Sequence, residues 1–359
     1  MVQKIRVGII GTGGIAHEHI KAYQQMEQVE LVAFCDINSE QLAKMAALYG
    51  IQETYATKEE LLLQADIDAV SVCTWNAAHA ECAIAALDAG KHVLCEKPMA
   101  TTLADAIKMQ EAAERNHRLL MIGFVRRFGN DAELIKEFIE DDFFGELYYG
   151  KATYLRRNGN PGGWFGDKSR SGGGPLIDLG VHVIDLMHYL MGQPKAVSVY
   201  GATFQKLLNR PTIKDSVEYQ SVSKGEQDIC DVEDLATGMI RFDNGAVISI
   251  EASFSLNLKE DEGKIQLFGT EAGAKLDPEL ELYTNINGYM ADVELKKPVA
   301  LQMDGLFYKE IAHYIDCIAN EKDCLAPAAD GVQIMAILEA IYQSAATGHE
   351  VIIEELASK

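Results

Sequence analysis

Residues 5–16 read Ile-Arg-Val-Gly-Ile-Ile-Gly-Thr-Gly-Gly-Ile-Ala, an apolar run that breaks into a G-x-G-x-x-A loop. A continuous apolar run of this kind suits a strand buried on both faces of a parallel sheet. After the loop, Ile15, Ile20, Tyr23 and Met26 fall close to helical spacing. Strand, glycine turn and helix in that order are the setting in which such a loop cradles a pyrophosphate. Gly11 makes the tight turn, Gly13 lets the phosphates approach the backbone, and Ala16 lets helix and strand pack closely. Thr12, Gly14 and Ile15 complete the loop at the helix N-terminus, where amides and dipole favour an anion. Asp36 lies 20 residues after Ala16 and ends a second apolar run, so its carboxylate can take both hydroxyls of an adenosine ribose. The same charge repels a 2′-phosphate, and Ile37 and Asn38 follow where an arginine would be needed. The pattern points to NAD rather than NADP.

The chain is long enough, at 359 residues, for two domains. Its 54 acidic residues against 32 basic ones give a formal net charge of −22, a surface that repels phosphate backbones and anionic membranes. Neither nucleic acid nor a membrane is expected as a partner. Seven cysteines, an odd number with no C-x-x-C pair, suggest a reduced, cytoplasmic chain rather than a disulfide framework. The N-terminus enters a strand almost at once, so no secretory leader is expected, and no apolar run is long enough to span a bilayer.

Up to residue 123, strand and helix patterns alternate, which predicts a parallel, doubly wound α/β sheet: a Rossmann domain over residues 1–123. Residues 29–35, 67–73, 92–95 and 119–124 read as further strands. Thr102 with Asp105 three residues on predicts the capping box of a helix reaching about Asn116. Beyond Arg127 the rhythm changes. Alternating runs at 236–242 and 246–254, joined by Asp243-Asn244-Gly245, predict a hairpin. Residues 124–359 therefore read as a C-terminal α+β domain with a large, mostly antiparallel open sheet, closed by helices at 305–320 and 331–347. The polar stretch 206–231 reads as an insertion or mobile loop.

Two clusters carry candidate chemistry. Glu96-Lys97-Pro98 follows the strand at 92–95, at the edge where open parallel sheets bind ligands, and the proline fixes the backbone that aims Lys97. Beside a cationic nicotinamide the Lys97 ammonium should lose its proton more readily. Further on, a glycine run at 172–174 leads to Asp178 and His182, four residues apart and so on one helix face. No third ligand stands at a recognisable spacing, so no metal is expected there. Asp185 and His188, on the same helix, read as ordinary interface or surface residues.

Taken in order, the G-x-G-x-x-A loop, Glu96-Lys97-Pro98 and the G-G-G-x-x-x-D-x-x-x-H run ending at His182 resemble the Gfo/Idh/MocA oxidoreductases over essentially the whole chain. The resemblance implies a catalytic Lys97, with Asp178 and His182 as its catalytic partners, and a cis Lys97–Pro98 bond. It also implies that Thr74, Asn76, His79 and Glu96 line the cofactor pocket, although Trp75 stands where many members carry proline. Of the adjacent Arg126 and Arg127, Arg127 is the preferred cofactor contact. Arg156 (or Arg157) and Trp164 are candidate substrate contacts, with a buried structural role for the tryptophan an open alternative.

The activity this implies is NAD-dependent oxidation of a secondary hydroxyl on a sugar, an inositol-like polyol or a sugar derivative, a step of carbohydrate metabolism. Two rivals share the resemblance: an NAD-retaining glycosidase, and a non-catalytic NAD- or sugar-sensing regulator, against which the complete Lys97, Asp178 and His182 set argues. A homodimer or homotetramer built on the second sheet is expected.

Overall fold

The computed structural model describes residues 4–207, 210, 213, 219–225 and 228–356. In chain order the elements are β1 (Ile5–Ile10), α1 (Ala16–Gln24), β2 (Val29–Cys35), α2 (Ser39–Tyr49), β3 (Glu53–Tyr55), α3 (Lys58–Gln64), β4 (Ala69–Val72), α4 (His79–Asp88), β5 (His92–Cys95), α5 (Leu103–Asn116) and β6 (Leu120–Ile122). Then follow α6 (Asn130–Glu140), β7 (Leu147–Leu155), the single turn α7 (Lys168–Ser171), α8 (Val181–Leu190), β8 (Ala196–Phe204), β9 (Leu235–Phe242), β10 (Val247–Ser253) and β11 (Glu262–Gly269). The chain closes with β12 (Ala272–Leu276), β13 (Glu281–Ile286), β14 (Tyr289–Val293), α9 (Leu306–Asn320), α10 (Ala328–Thr347), β15 (Val351–Ile352) and α11 (Ile353–Leu356).

The chain forms two compact units. The first holds residues 1–125, 169–172 and 304–335; the second holds 126–168, 173–303 and 336–359. This differs from a single cut after residue 123, because α9 belongs with the first unit rather than closing the second. The reason is visible in its sequence. Leu306, Ile311, Tyr314 and Ile315 make one apolar face, and that face packs against α1, beside which Tyr314 and Tyr23 are both fully buried. Such a face declares that a helix is buried, not what it is buried against.

In the first unit six parallel strands run in the order β3-β2-β1-β4-β5-β6. All four residues of β4 are buried, as expected for a strand covered on both faces. The order reverses between β1 and β4, so the carboxyl ends of these two strands flank the switch point at which open α/β sheets take ligands. Side chains cap several helices: Asn38 on α2, Thr57 on α3 and Thr102 on α5. None caps α1, whose N-terminus follows the glycine loop.

In the second unit nine strands run β14-β13-β12-β11-β7-β10-β9-β8-β15. Every pair is antiparallel except β7 with β10. Asp243-Asn244-Gly245 does connect β9 to β10; Gly245 sits at φ +87°, and the Asn244 side chain accepts from Ala246 N at 3.0 Å. Much of 206–231 lies outside the described residues, but its described part is not a free loop. Ser221 N donates to Pro161 O at 3.0 Å, Trp164 N donates to Ser223 Oγ at 3.2 Å, and Asp231 N donates to Gly166 O at 3.0 Å.

Candidate active site

Within the first unit the loops at the carboxyl ends of β1, β2, β4 and β5 carry Gly11–Ile15, Asp36, Thr74 and Lys97. Gly11 has φ +89°, and a Cβ there would lie 2.7 Å from the Cys73 carbonyl carbon, so this crossing admits only glycine. Gly13 faces open space, with nothing within 4 Å of where its Cβ would stand. An open backbone beside an uncapped helix N-terminus is what a pyrophosphate needs. Asp36, half-buried, is held by Thr12: Oδ2 accepts from Thr12 N at 2.7 Å and from Thr12 Oγ1 at 2.8 Å, and Oδ1 accepts from Asn38 N at 2.8 Å. A carboxylate offers about four lone-pair positions, so one remains for a ribose hydroxyl. The residues present fit a dinucleotide.

Lys97 stands out by exposure. From Val93 to Ala100 every other residue is buried, and Lys97 alone is half-exposed. The Lys97–Pro98 bond is cis. Behind the lysine runs a buried polar chain. Lys97 N donates to Glu96 Oε2 at 3.2 Å, Glu96 Oε1 lies 2.9 Å from His19 Nε2, His19 Nδ1 lies 3.1 Å from Ser71 Oγ, and Ser71 Oγ lies 2.7 Å from Tyr23 OH. Burial pushes the His19 imidazole down, but the Cys73 thiol and the Glu96 carboxylate beside it outweigh this and raise it. Burial pushes Glu96 up, and its hydrogen bond and charge pairing with His19 bring it below its ordinary value. Both shifts favour the charged forms of the pair.

Some expected pocket residues have other duties. His79 is completely buried; Nδ1 lies 2.7 Å from Pro98 O and Nε2 lies 3.1 Å from Thr74 O. Burial lowers its pKa against the opposing pull of the two carbonyl contacts, and the contact with Pro98 O ties the Lys97 turn to α4. Asn76 is also buried and donates to Ser171 O at 2.8 Å. Thr74 is half-exposed. His19 and Ser71 were not singled out in the sequence, and Tyr23 only as an apolar helix position; the available signal was a histidine on the apolar face of α1, among Ala16, Ile20 and Tyr23.

In the second unit, Gly173, Gly174 and Pro175 lead into a π-helical turn, Leu176–Gly180, that runs on into α8. Asp178 and His182 thus straddle a π–α junction rather than sitting on one regular helix. Such junctions put a local bulge where a functional side chain must be aimed. From Gly173 to His188, Asp178 and His182 are the only residues not buried. The glycines answer to packing: a Cβ on Gly173 would meet Tyr342 OH at 2.0 Å, and one on Gly174 would meet Glu233 O at 2.3 Å. Glu233, also not singled out beforehand, accepts from Gly174 N at 3.0 Å, Leu176 N at 3.2 Å and Tyr342 OH at 2.8 Å. It fixes the entry to the turn.

Arg127 differs most from expectation. Its guanidinium is fully buried and grips Asp185, with Nε to Oδ2 at 3.0 Å and Nη2 to Oδ1 at 2.6 Å, while its Cζ lies 4.9 Å over the Tyr189 ring. Arg127 thus forms a core ion pair of the second unit. Asp185 and His188 are likewise core residues, not surface ones, at 1% and 0% exposure. Arg156 is half-buried and donates to Gly159 O at 3.1 Å; Arg157 is exposed. Trp164 is half-buried and stacks on Phe165 with ring centroids 3.9 Å apart.

Residues 5–124 match the family model described as an oxidoreductase family, NAD-binding Rossmann fold, and residues 136–353 match its C-terminal alpha/beta domain. The chain belongs to the Gfo/Idh/MocA oxidoreductase family. It is 35% identical to D-glucoside 3-dehydrogenase of Escherichia coli over 350 residues, 97% of each chain. To levoglucosan dehydrogenase of Pseudarthrobacter phenanthrenivorans it is 32% identical over 75% of this chain and 73% of the relative. A levoglucosan dehydrogenase solved with NADH and levoglucosan has the same fold, at TM-score 0.84 and 27% identity over 98% of this chain and 100% of that one. The protein is an NAD-binding oxidoreductase of a family whose named members act on sugars and polyols. Among the described residues no helix is long and apolar enough to cross a membrane.

Proposed function

We propose that this member oxidises a secondary hydroxyl of a sugar, and most specifically of a glucose-type glycoside, with NAD as hydride acceptor. The observation that carries the reading is Lys97, the one half-exposed side chain on a buried strand end, in the same set of loops as the open glycine cradle. Full-length similarity to a glucoside 3-dehydrogenase supports the substrate class. Bound NAD supplies the acceptor carbon for hydride. The chain's residues do the rest. Asp36 selects an unphosphorylated ribose by hydrogen bonding and by repelling a 2′-phosphate. The Lys97 ammonium hydrogen-bonds the reacting oxygen and stabilises the negative charge that develops on it. His182 takes the hydroxyl proton on a ring nitrogen, since imidazole titrates near working pH. Asp178 orients His182 and the neighbouring hydroxyls, and Arg156 and Trp164 contact the sugar.

The same reading includes self-association through the outer face of the nine-stranded sheet, where Tyr200 and Met239 pair across β8 and β9 and are both more than half exposed. The test of activity is NADH appearance with glucosides, free sugars and inositols offered separately, with Lys97→Ala run in parallel. A glucoside-dependent signal lost in the variant supports the proposal. Equal rates in the variant, or turnover with NADP alone, overturn it.

A further inference from the structure

We propose that His313, Cys317 and Cys324 form a binding site for a soft divalent cation of the zinc class. All three lie in the first unit, far along the sequence from the glycine loop and Lys97. His313 and Cys317 are one helical turn apart on α9, which places them on one face. The helix stops at Glu321, whose left-handed φ of +51° turns the chain back and brings Cys324 to the same face. Nε2 of His313 lies 3.3 Å from Cys317 Sγ, and the three ligand atoms all lie within 4.8 Å of one another. A tetrahedral zinc with Zn–S of about 2.3 Å and Zn–N of about 2.0 Å spaces its ligand atoms roughly 3.5–3.8 Å apart. Small side-chain rotations close that difference.

The histidine has the tautomer a ligand needs. Leu325 N donates to His313 Nε2 at 2.9 Å, so Nε2 is the ring nitrogen with the lone pair, and it also lies 3.3 Å from Cys317 Sγ. A bound cation takes that lone pair in place of the Leu325 amide. Cys317 is buried, whereas His313 and Cys324 are half-exposed, so the cluster is walled on one side and open on the other, where water can supply a fourth ligand. Two thiolates and one imidazole favour zinc-class ions over magnesium or calcium. Binding releases two thiol protons to solvent and leaves the dication balanced by two sulfur charges. The consequence is local. Just beyond Cys324, Ala326 O accepts from Ile122 N at 2.9 Å and Pro327 bridges to Met121, so the site staples α9 to the segment bordering β6.

The test uses the full chain, reduced and stripped with chelator, then titrated with Co2+ and back-titrated with Zn2+. The expected result is one Co2+ per chain with a sulfur-to-cobalt charge-transfer band, displaced by Zn2+, and a higher melting temperature with Zn2+. Cys324→Ser, at a half-exposed loop position, should keep the fold by circular dichroism. It should weaken Zn2+ more than about 100-fold, beyond the 10–100-fold typical of losing an outer partner. Cys230→Ser should leave binding unchanged. Absence of the band, or a band unaffected by Cys324→Ser, overturns the proposal. So does oxidation to a Cys317–Cys324 disulfide at a rate that Zn2+ does not slow.

Discussion

Breaking the Arg127–Asp185 pair from either side should destabilise the second unit by similar amounts at neutral pH but respond oppositely to acid. Both side chains are almost completely buried, at 0% and 1%, and share two hydrogen bonds. Removing one partner of such a pair costs about 3–5 kcal/mol. In Arg127→Met, Asp185 can offset the loss of the guanidinium by binding a proton. An ordinary aspartate titrates near 3.9, so protonating it at pH 7 costs about 4 kcal/mol, falling to roughly 1.5 kcal/mol at pH 5. The variant should therefore recover about 2–3 kcal/mol between those pH values relative to wild type. In Asp185→Leu the guanidinium that loses its carboxylate cannot discharge, because arginine stays charged, and no recovery is expected. The double variant should be more stable than either single one. The assay is urea unfolding at both pH values, following the transition of the second unit, with NADH affinity measured alongside. Parallel pH profiles for the two single variants refute the reasoning. So does a large loss of NADH affinity in a folded Arg127→Met protein, which would restore Arg127 to the cofactor.

Gly11→Ala should abolish NADH binding and lower stability by more than about 2 kcal/mol, because a left-handed alanine is strained and its Cβ meets Cys73 backbone; near-wild-type NADH affinity would count against the cradle. Asp36→Ala should weaken NAD by about 10–100-fold, the value of a charged hydrogen bond to ribose, and narrow the gap to NADP, read from the two KM values. The His19–Glu96 pair sets a pH window. Glu96, held below its ordinary 4.5, contributes above that pH and fades as acid protonates it. His19, raised from 6.5 to about 10, contributes fully below 6.5 and fades as pH climbs through about 10. The stability difference between wild type and His19→Gln should peak between those ordinary values and shrink towards pH 10; a flat difference in thermal melts would show that the pair is not ionic.

The cofactor half was legible because its signals are local. A glycine that must turn beside a strand, a carboxylate a fixed distance on, and a cap box at Thr102 each act within a few residues, and so does the Asn-Gly turn of β9–β10. The candidate catalytic residues were legible as motifs but not as geometry. Nothing in the spacing of Asp178 and His182 announced a π turn, which arises from where Glu233 and Tyr342 hold the glycine run.

Sequence alone thus determined the two sheet types, the dinucleotide cradle and the strand end that presents Lys97. It did so through backbone conformation and the two- or 3.6-residue periods of burial. Tertiary structure decided what those periods cannot encode, namely which buried face meets which. It sent α9 back to α1, paired β10 with β7 in parallel, turned Arg127 inward to Asp185 and set His19 beneath Glu96. These choices rest on partners many residues apart, and an apolar face or a buried charge specifies only that a partner exists.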